Sequence, residues 1–281
     1  MRLLARAKVN WALAVVGDLP GGYHDLDMLM ESVSLSDELT IEPAHDLSLT
    51  VDGQPAGEDN LVYRAALALQ SAGSCTLGAK MALVKRIPAR AGLGGGSADC
   101  AAALAVLGRL WGLGLSRSDL CAIGLTLGAD VPFCLTGGLC RAQGRGERLT
   151  SLTPDRPVGL VIAMDGPGLS TGSVFSAFDA RPYPFTGDMD LAQSALLTRD
   201  LNALEKTARN SLYAPALSLD DAPGLLLADM YASGALFARM TGSGAACFGV
   251  FTDPDSACSD LRARHAFCAA CHTTPTGWDI L

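Results

Sequence analysis

A chain of 281 residues that is 49% hydrophobic and 18% charged has the apolar mass for a buried core and the length for two domains. Its formal net charge of −8 argues against a nucleic-acid binder, because phosphate-backbone binding needs a basic face and no lysine or arginine cluster occurs. An anionic ligand must therefore be held by local cations, for which Lys8, Lys85, Arg86 and Arg90 are the supply.

The first residues, Met1 to Val16, are basic and then apolar, but Lys8 and Asn10 interrupt the run. They read as neither a signal peptide nor a membrane span, which needs about 18 apolar residues, so a cytoplasmic protein with no membrane partner is expected. Arg6 to Val16 predicts a strand with Ala7, Val9, Trp11, Leu13 and Val15 on one face and Lys8, Asn10, Ala12 and Ala14 on the other. The second face is either the solvated side of an edge strand or a polar pair beside room for a ligand. Short strands follow at 39–43 and 47–51, then a helix over 60–71 and a strand over 81–85.

Pro88-Ala-Arg-Ala-Gly-Leu-Gly-Gly-Gly-Ser-Ala-Asp99 leads into an alanine-rich helix ending near Trp111. Gly92, Gly94, Gly95 and Gly96 allow successive backbone N–H groups to converge on an anion, and the helix N-terminus adds its dipole. Ser97 is the expected N-cap. The loop is not a Walker A loop, because none of the four lysines follows a glycine. Nor is it a dinucleotide fingerprint, whose sixth position here is Ser97. Asp99 reads as a helix-start residue favoured by the dipole, with metal ligation as the alternative.

Ser116 to Asp119 opens a helix with a capping box that Gly128 stops. Asp130 then lies between that helix and an expected apolar strand, in a loop stiffened by Pro132. A hairpin occupies 137–148, and a domain boundary is expected near 152, giving domains 1–152 and 153–281. The second half carries a buried strand at 158–164, helices near 191–197, 202–209 and 223–233, and a Thr241-Gly-Ser-Gly244 turn expected between helix and strand. Nine scattered cysteines suit a reducing compartment. Cys268-Ala-Ala-Cys271-His272 spells a haem-attachment pattern, outweighed by the absence of an export signal.

The glycine loop resembles the phosphate loop of the galactokinase, homoserine kinase, mevalonate kinase and phosphomevalonate kinase (GHMP) superfamily. With Lys8-Val-Asn10, Gly22-Tyr23-His24, Leu127-Gly-Ala-Asp130-Val-Pro132 and Thr241-Gly-Ser-Gly244, the chain is similar over its whole length to the 4-diphosphocytidyl-2-C-methyl-D-erythritol kinases. The resemblance implies an α+β, two-domain GHMP kinase fold: a ribosomal protein S5 domain 2-like ATP-binding domain and a ferredoxin-like C-terminal domain, with the active site between them.

The activity implied is ATP-dependent phosphorylation of the 2-hydroxyl of the cytidine diphosphate-linked methylerythritol, with Mg2+, in the non-mevalonate isoprenoid pathway. Asp130 would accept the hydroxyl proton, and Lys8 would stabilise charge on the phosphoryl group in flight. Lys85 and the run Pro88, Ala89, Arg90, Ala91, Gly92, Leu93, Gly94, Gly95, Gly96, Ser97 and Ala98 would hold ATP. Asn10, Tyr23, His24, Thr171 and Phe175 would hold the substrate, Tyr23 and Phe175 by stacking on cytosine and His24 by a hydrogen bond. A monomer or weak homodimer is expected. The rival readings are another small-molecule kinase of the superfamily, acting on mevalonate, homoserine or a sugar, and an idle nucleotide-binding protein.

Overall fold

A computed structural model describes all residues, 1–281. Two long strands, β1 (Arg2–Leu19) and β2 (Tyr23–Ala44), form a hairpin closed by Gly21 and Gly22, whose φ of +84° and +77° suits glycine. The segment over 39–43 is the end of this 22-residue strand rather than a strand of its own. Next come β3 (Leu47–Val51), β4 (Gln54–Ala56), α1 (Leu61–Ala72) and β5 (Gly78–Val84), with Asn60 capping α1. The helix after the glycine loop is α2 (Gly95–Leu110), followed by α3 (Arg117–Leu127) and α4 (Val131–Thr136). The hairpin β6 (Leu139–Gly144) and β7 (Arg148–Leu152) completes the first lobe, apart from a strand contributed by the chain's end.

The second lobe begins with β8 (Gly159–Met164) and continues through α5 (Thr171–Ala180), α6 (Met189–Thr198), α7 (Leu201–Thr207), α8 (Tyr213–Leu217) and α9 (Ala222–Ala232). It ends in β9 (Phe237–Met240), β10 (Cys247–Val250), α10 (Pro254–Arg262) and β11 (Phe267–His272). The last strand, β12 (Trp278–Ile280), returns to the first sheet and pairs with β1. The first sheet runs β12-β1-β2-β5-β3-β4, with β6 and β7 added beyond β2. The second runs β11-β8-β10-β9, the fourth-first-third-second order of a ferredoxin-like unit.

β1 is flanked on both sides, so the edge-strand alternative is excluded. Register shifts between Arg6 and Lys8, Asn10 and Ala12, and Val15 and Gly17 break strict alternation, and every residue from Ala7 to Ala14 is buried. One side packs across to the second sheet, where Trp11 meets Phe237 and Phe248 at ring distances of 5.5 and 5.2 Å. Lys8 and Asn10 remain together on the other side. α2 is buried on every side from Ala98 to Gly108, and its alanines let it sit close to α1, α4 and β1.

Several sequence expectations change. Ser97 is not the N-cap: Gly94 takes that place at φ +70°, a left-handed conformation that glycine reaches without strain, and α2 starts two residues before Ser97. Asp99 therefore lies in the second turn, beyond the dipole's main reach. The residues after Asp130 form a helix, not a strand, because Pro132 falls in the first turn, where its missing N–H costs nothing. Gly242 and Gly244 join two strands, β9 and β10. α5, α8 and α10 lie outside the helices expected from the sequence, although α10 is amphipathic, is capped by Asp253 and has Pro254 in its first turn. Cys268 and Cys271 are buried within β11, and burial pushes their thiols up to about 11 and about 12, so the haem-type spelling is core packing.

The lobes are tied by a buried ion pair. Arg199, just past α6 at φ +57°, donates to Glu31 of β2 at 2.9 and 2.5 Å, and Trp11 Nε1 donates to the same carboxylate at 2.8 Å. Both charges are nearly excluded from water. Removing one partner leaves the other charged and dry, so Arg199→Ala is expected to cost about 3–5 kcal/mol in denaturant unfolding. A loss below about 1 kcal/mol would show that the pair is not what joins the lobes.

Candidate active site

Three segments distant in sequence meet at one backbone carbonyl. Lys8 Nζ donates to the Gly92 carbonyl at 2.7 Å and to Asn10 Oδ1 at 2.7 Å, while the Lys8 backbone N–H donates to the Leu93 carbonyl at 3.0 Å. Thr241 Oγ1 also donates to Gly92, at 3.3 Å, and accepts from the Asn10 N–H at 3.0 Å. The glycines are required by this closeness. A Cβ on Gly92 would lie 2.2 Å from the Thr241 carbonyl oxygen, and Gly92 itself sits at φ +74°. A Cβ on Gly94 would press on the Lys8 side chain at 3.1 Å, beside Asp130.

Asp130 caps α4 by position, but its carboxylate makes no capping bond and is free to face the cleft. Its Oδ2 is 3.8 Å from Lys8 Nζ. An ammonium, a carboxylate, an amide and a glycine-lined loop thus converge at one end of a cleft of about 900 Å³. Every sequence-predicted site residue lines this cleft except Ala98, which packs into the core behind the loop.

Lys85 is clamped beneath the loop between two carboxylates. It bonds Asp37 closely and Asp99 Oδ2 at 2.7 Å. Asp37, wholly buried, accepts the Arg86 and Ile87 N–H groups at 2.5 and 2.8 Å. Burial alone would lower the Lys85 ammonium, but Asp99 and Asp37 outweigh it and hold it above its usual value. Burial first, and then the Asp37 charge, raise the Asp99 carboxyl to about 7 against the downward pull of Lys85. Asp99 Oδ1 is buried with no hydrogen-bond partner. Of the helix-start and metal-ligand readings of Asp99, the first fails on position.

Another part of the cleft wall is aromatic. His24 stacks on Phe175 at 4.7 Å with ring planes 22° apart, and its Nε2 lies 2.7 Å from Asp179 Oδ1. Phe175 and Asp179 are one turn apart on α5, so one helix face supplies both contacts. Thr171 opens α5 and bonds Ser243 of the Thr241–Gly244 turn at 3.0 Å. Tyr23 is half exposed with the Arg145 guanidinium over its ring.

Sequence reading missed Asp37, Arg145, Asp179 and Ser243. Asp37 lies in the part of β2 not foreseen as a strand, and Asp179 on an unforeseen helix. Arg145 carried one signal, a charged residue between two glycines at a hairpin tip.

Residues 60–138 match the GHMP kinases N terminal domain family, and residues 192–270 match the GHMP kinases C terminal family. A 4-diphosphocytidyl-2-C-methyl-D-erythritol kinase of Pelotomaculum thermopropionicum is 42% identical over 266 residues, covering 93% of this chain and 92% of that protein. One from Cereibacter sphaeroides is 43% identical over 260 residues, 90% of each chain. The crystal structure of a 4-(cytidine 5'-diphospho)-2C-methyl-D-erythritol kinase superposes with a TM-score of 0.83 at 37% identity, covering 97% of this chain and 99% of that one.

A carboxyl raised in the folded state binds its proton more tightly there than when unfolded. Asp99 therefore withdraws stability as pH rises from about 4 to about 7, and the loss is complete above that window. Asp99→Asn removes this burden. Relative to wild type, its free energy of unfolding is expected to be higher (the variant more stable) at pH 7.5 than at pH 5. An equal difference at both pH values would place the raised proton affinity elsewhere.

Proposed function

The chain belongs to the 4-diphosphocytidyl-2-C-methyl-D-erythritol kinase family of GHMP kinases, and from that membership we infer that it transfers the γ-phosphoryl group of ATP to the 2-hydroxyl of 4-diphosphocytidyl-2-C-methyl-D-erythritol, releasing ADP. The product is the 2-phosphate, an intermediate on the non-mevalonate route to isoprenoid precursors. The observation that carries this reading is the 3.8 Å approach of Lys8 to Asp130 at the mouth of the glycine loop, inside a cleft with a partly aromatic wall.

Phosphoryl transfer asks a protein mainly for position and charge. The glycine loop from Pro88 to Ser97 turns backbone N–H groups and the start of α2 toward the triphosphate. Asp130 accepts the proton of the attacking hydroxyl as its oxygen bonds to phosphorus and the bond to ADP breaks. Lys8, held by Gly92 and Asn10, places its positive charge where the phosphoryl oxygens pass. Asn10 keeps the substrate polyol beside Asp130. Tyr23, His24, Phe175 and Thr171 hold the cytidine end.

Mg2+ fits the residues present. Asp99 Oδ1 is a carboxylate oxygen without a partner, and the Ser97 hydroxyl makes no capping bond, so together with phosphate oxygens they would supply hard oxygen ligands. Held there, such an ion would supply positive charge against the phosphates of ATP. We read residues 1–152, completed by β12 from the end of the chain, as the ATP-binding domain, and the residues from 153 through β11 as the C-terminal domain. We read the protein as a monomer or weak homodimer. Nine unpaired thiols suit a cytosolic setting.

Purified enzyme with ATP is expected to phosphorylate the cytidylated substrate and to leave mevalonate, homoserine and galactose untouched. Turnover of one of those three without the cytidylated compound would reassign the chain within the superfamily. Asp130→Ala is expected to lower kcat by at least about 100-fold while substrate binding, measured by calorimetry, stays near wild type. Retention of kcat within about tenfold would remove Asp130 from proton transfer.

A further inference from the structure

The hairpin of β6 and β7 carries three arginines with different surroundings. Arg141 is bound to Asp27 and Asp190, and Arg148 reaches Asp25 at 3.4 Å. Arg145, at the tip between Gly144 and Gly146, lines the cleft and has no carboxylate partner. Its guanidinium carbon lies 3.6 Å from the centre of the Tyr23 ring, and its Nε is buried without a hydrogen-bond partner. The hairpin holds it there through the backbone, where the Arg145 N–H donates to Glu147 Oε2 at 2.7 Å.

A guanidinium is charged at any physiological pH and forks naturally onto phosphate oxygens. Desolvating one without an acceptor is unfavourable, so a site built this way gains when an anion arrives. Of the other cleft cations, Lys8 stands at the transfer point and Lys85 between Asp37 and Asp99, while Arg90 is exposed in the glycine loop rather than stacked and partly buried like Arg145. A substrate bearing a diphosphate next to its cytosine needs a positive charge at the aromatic wall, on a chain of net charge −8.

We propose that Arg145, stacked on Tyr23, binds the diphosphate of the cytidylated substrate and so selects it over an uncharged polyol. The proposal rests on the function inferred above. Stacking on Tyr23 fixes the guanidinium plane and leaves its outer edge for the phosphate oxygens.

The test measures cytidine and CDP binding by calorimetry, with the ATP site filled by a nonhydrolysable analogue, for wild type, Arg145→Ala and Arg145→Lys. Arg145→Ala is expected to weaken CDP by about tenfold or more and cytidine by under about threefold. It should raise KM for the cytidylated substrate more than it lowers kcat, with KM for ATP unchanged. Arg145→Lys should recover part of the loss, and added salt should weaken CDP binding to wild type more than to Arg145→Ala. Equal losses for cytidine and CDP would show that Arg145 only supports Tyr23, and no loss for either would make it a bystander; both overturn the proposal. Wild-type enzyme that fails to phosphorylate the cytidylated substrate would instead overturn the function on which the proposal rests. Matching thermal melts for the three proteins establish that the hairpin tip tolerates the changes.

Discussion

The Lys8 ammonium seated on the Gly92 carbonyl is the contact around which the molecule is organised. It joins the first strand to the phosphate loop, and the Thr241 hydroxyl shares the same carbonyl from the second lobe. Because the three segments are separated by most of the chain, only the completed fold creates the site. The glycines follow from this constraint. At Gly92 a side chain would collide with backbone rather than with a flexible neighbour, so the close approach of loop, strand and Thr241–Gly244 turn depends on hydrogen at that position. The bulges on either side of Lys8 and Asn10 keep both side chains in the cleft while the flanking residues of β1 are buried on both sides.

Electrostatics divides the cleft by function. A strongly acidic chain that handles polyanions must spend its cations locally, and each is held differently. Lys8 has neutral partners in Gly92 and Asn10 and one carboxylate at 3.8 Å, so its charge stays available. Lys85 is neutralised by Asp37 and Asp99 and acts as a brace beneath the loop, fixing Arg86 and Ile87 through Asp37. Arg145 is the cation of the aromatic wall. The buried Glu31–Arg199 pair, outside the cleft, sets the two lobes at the separation these contacts need.

Much of the site was legible because its chemistry is local in sequence. Four glycines ahead of an alanine helix, a lysine two residues before an asparagine on a strand, and an aspartate after a helix-stopping glycine each carry their own physical signature. The fold was less legible where local signals conflict with tertiary demands. β2 contains Ser32, Ser34, Ser36, Asp37 and Glu38, a run that reads as a turn, yet long-range pairing with β1, β5 and β6 keeps it extended. Ser97 has the right chemistry for an N-cap but loses the place to Gly94, whose left-handed backbone a glycine adopts without strain. α5, short and preceded by loop residues, was invisible to periodicity, so Phe175 and Thr171 came only from resemblance and Asp179 from neither. Arg145 needed its distance to Tyr23, which no spacing encodes.

Folding brings the position-130 carboxylate within 3.8 Å of the position-8 ammonium, and the proposed reaction needs both groups at one phosphoryl group. A crystal structure of the enzyme with a nonhydrolysable ATP analogue and the cytidylated methylerythritol tests it most directly. The substrate 2-hydroxyl oxygen should lie within hydrogen-bond reach, about 2.6–3.2 Å, of Asp130 and in line with the γ-phosphorus, with Lys8 on a γ-phosphate oxygen. A 2-hydroxyl bonded to some other side chain, or a triphosphate lying outside the glycine loop, would contradict the account.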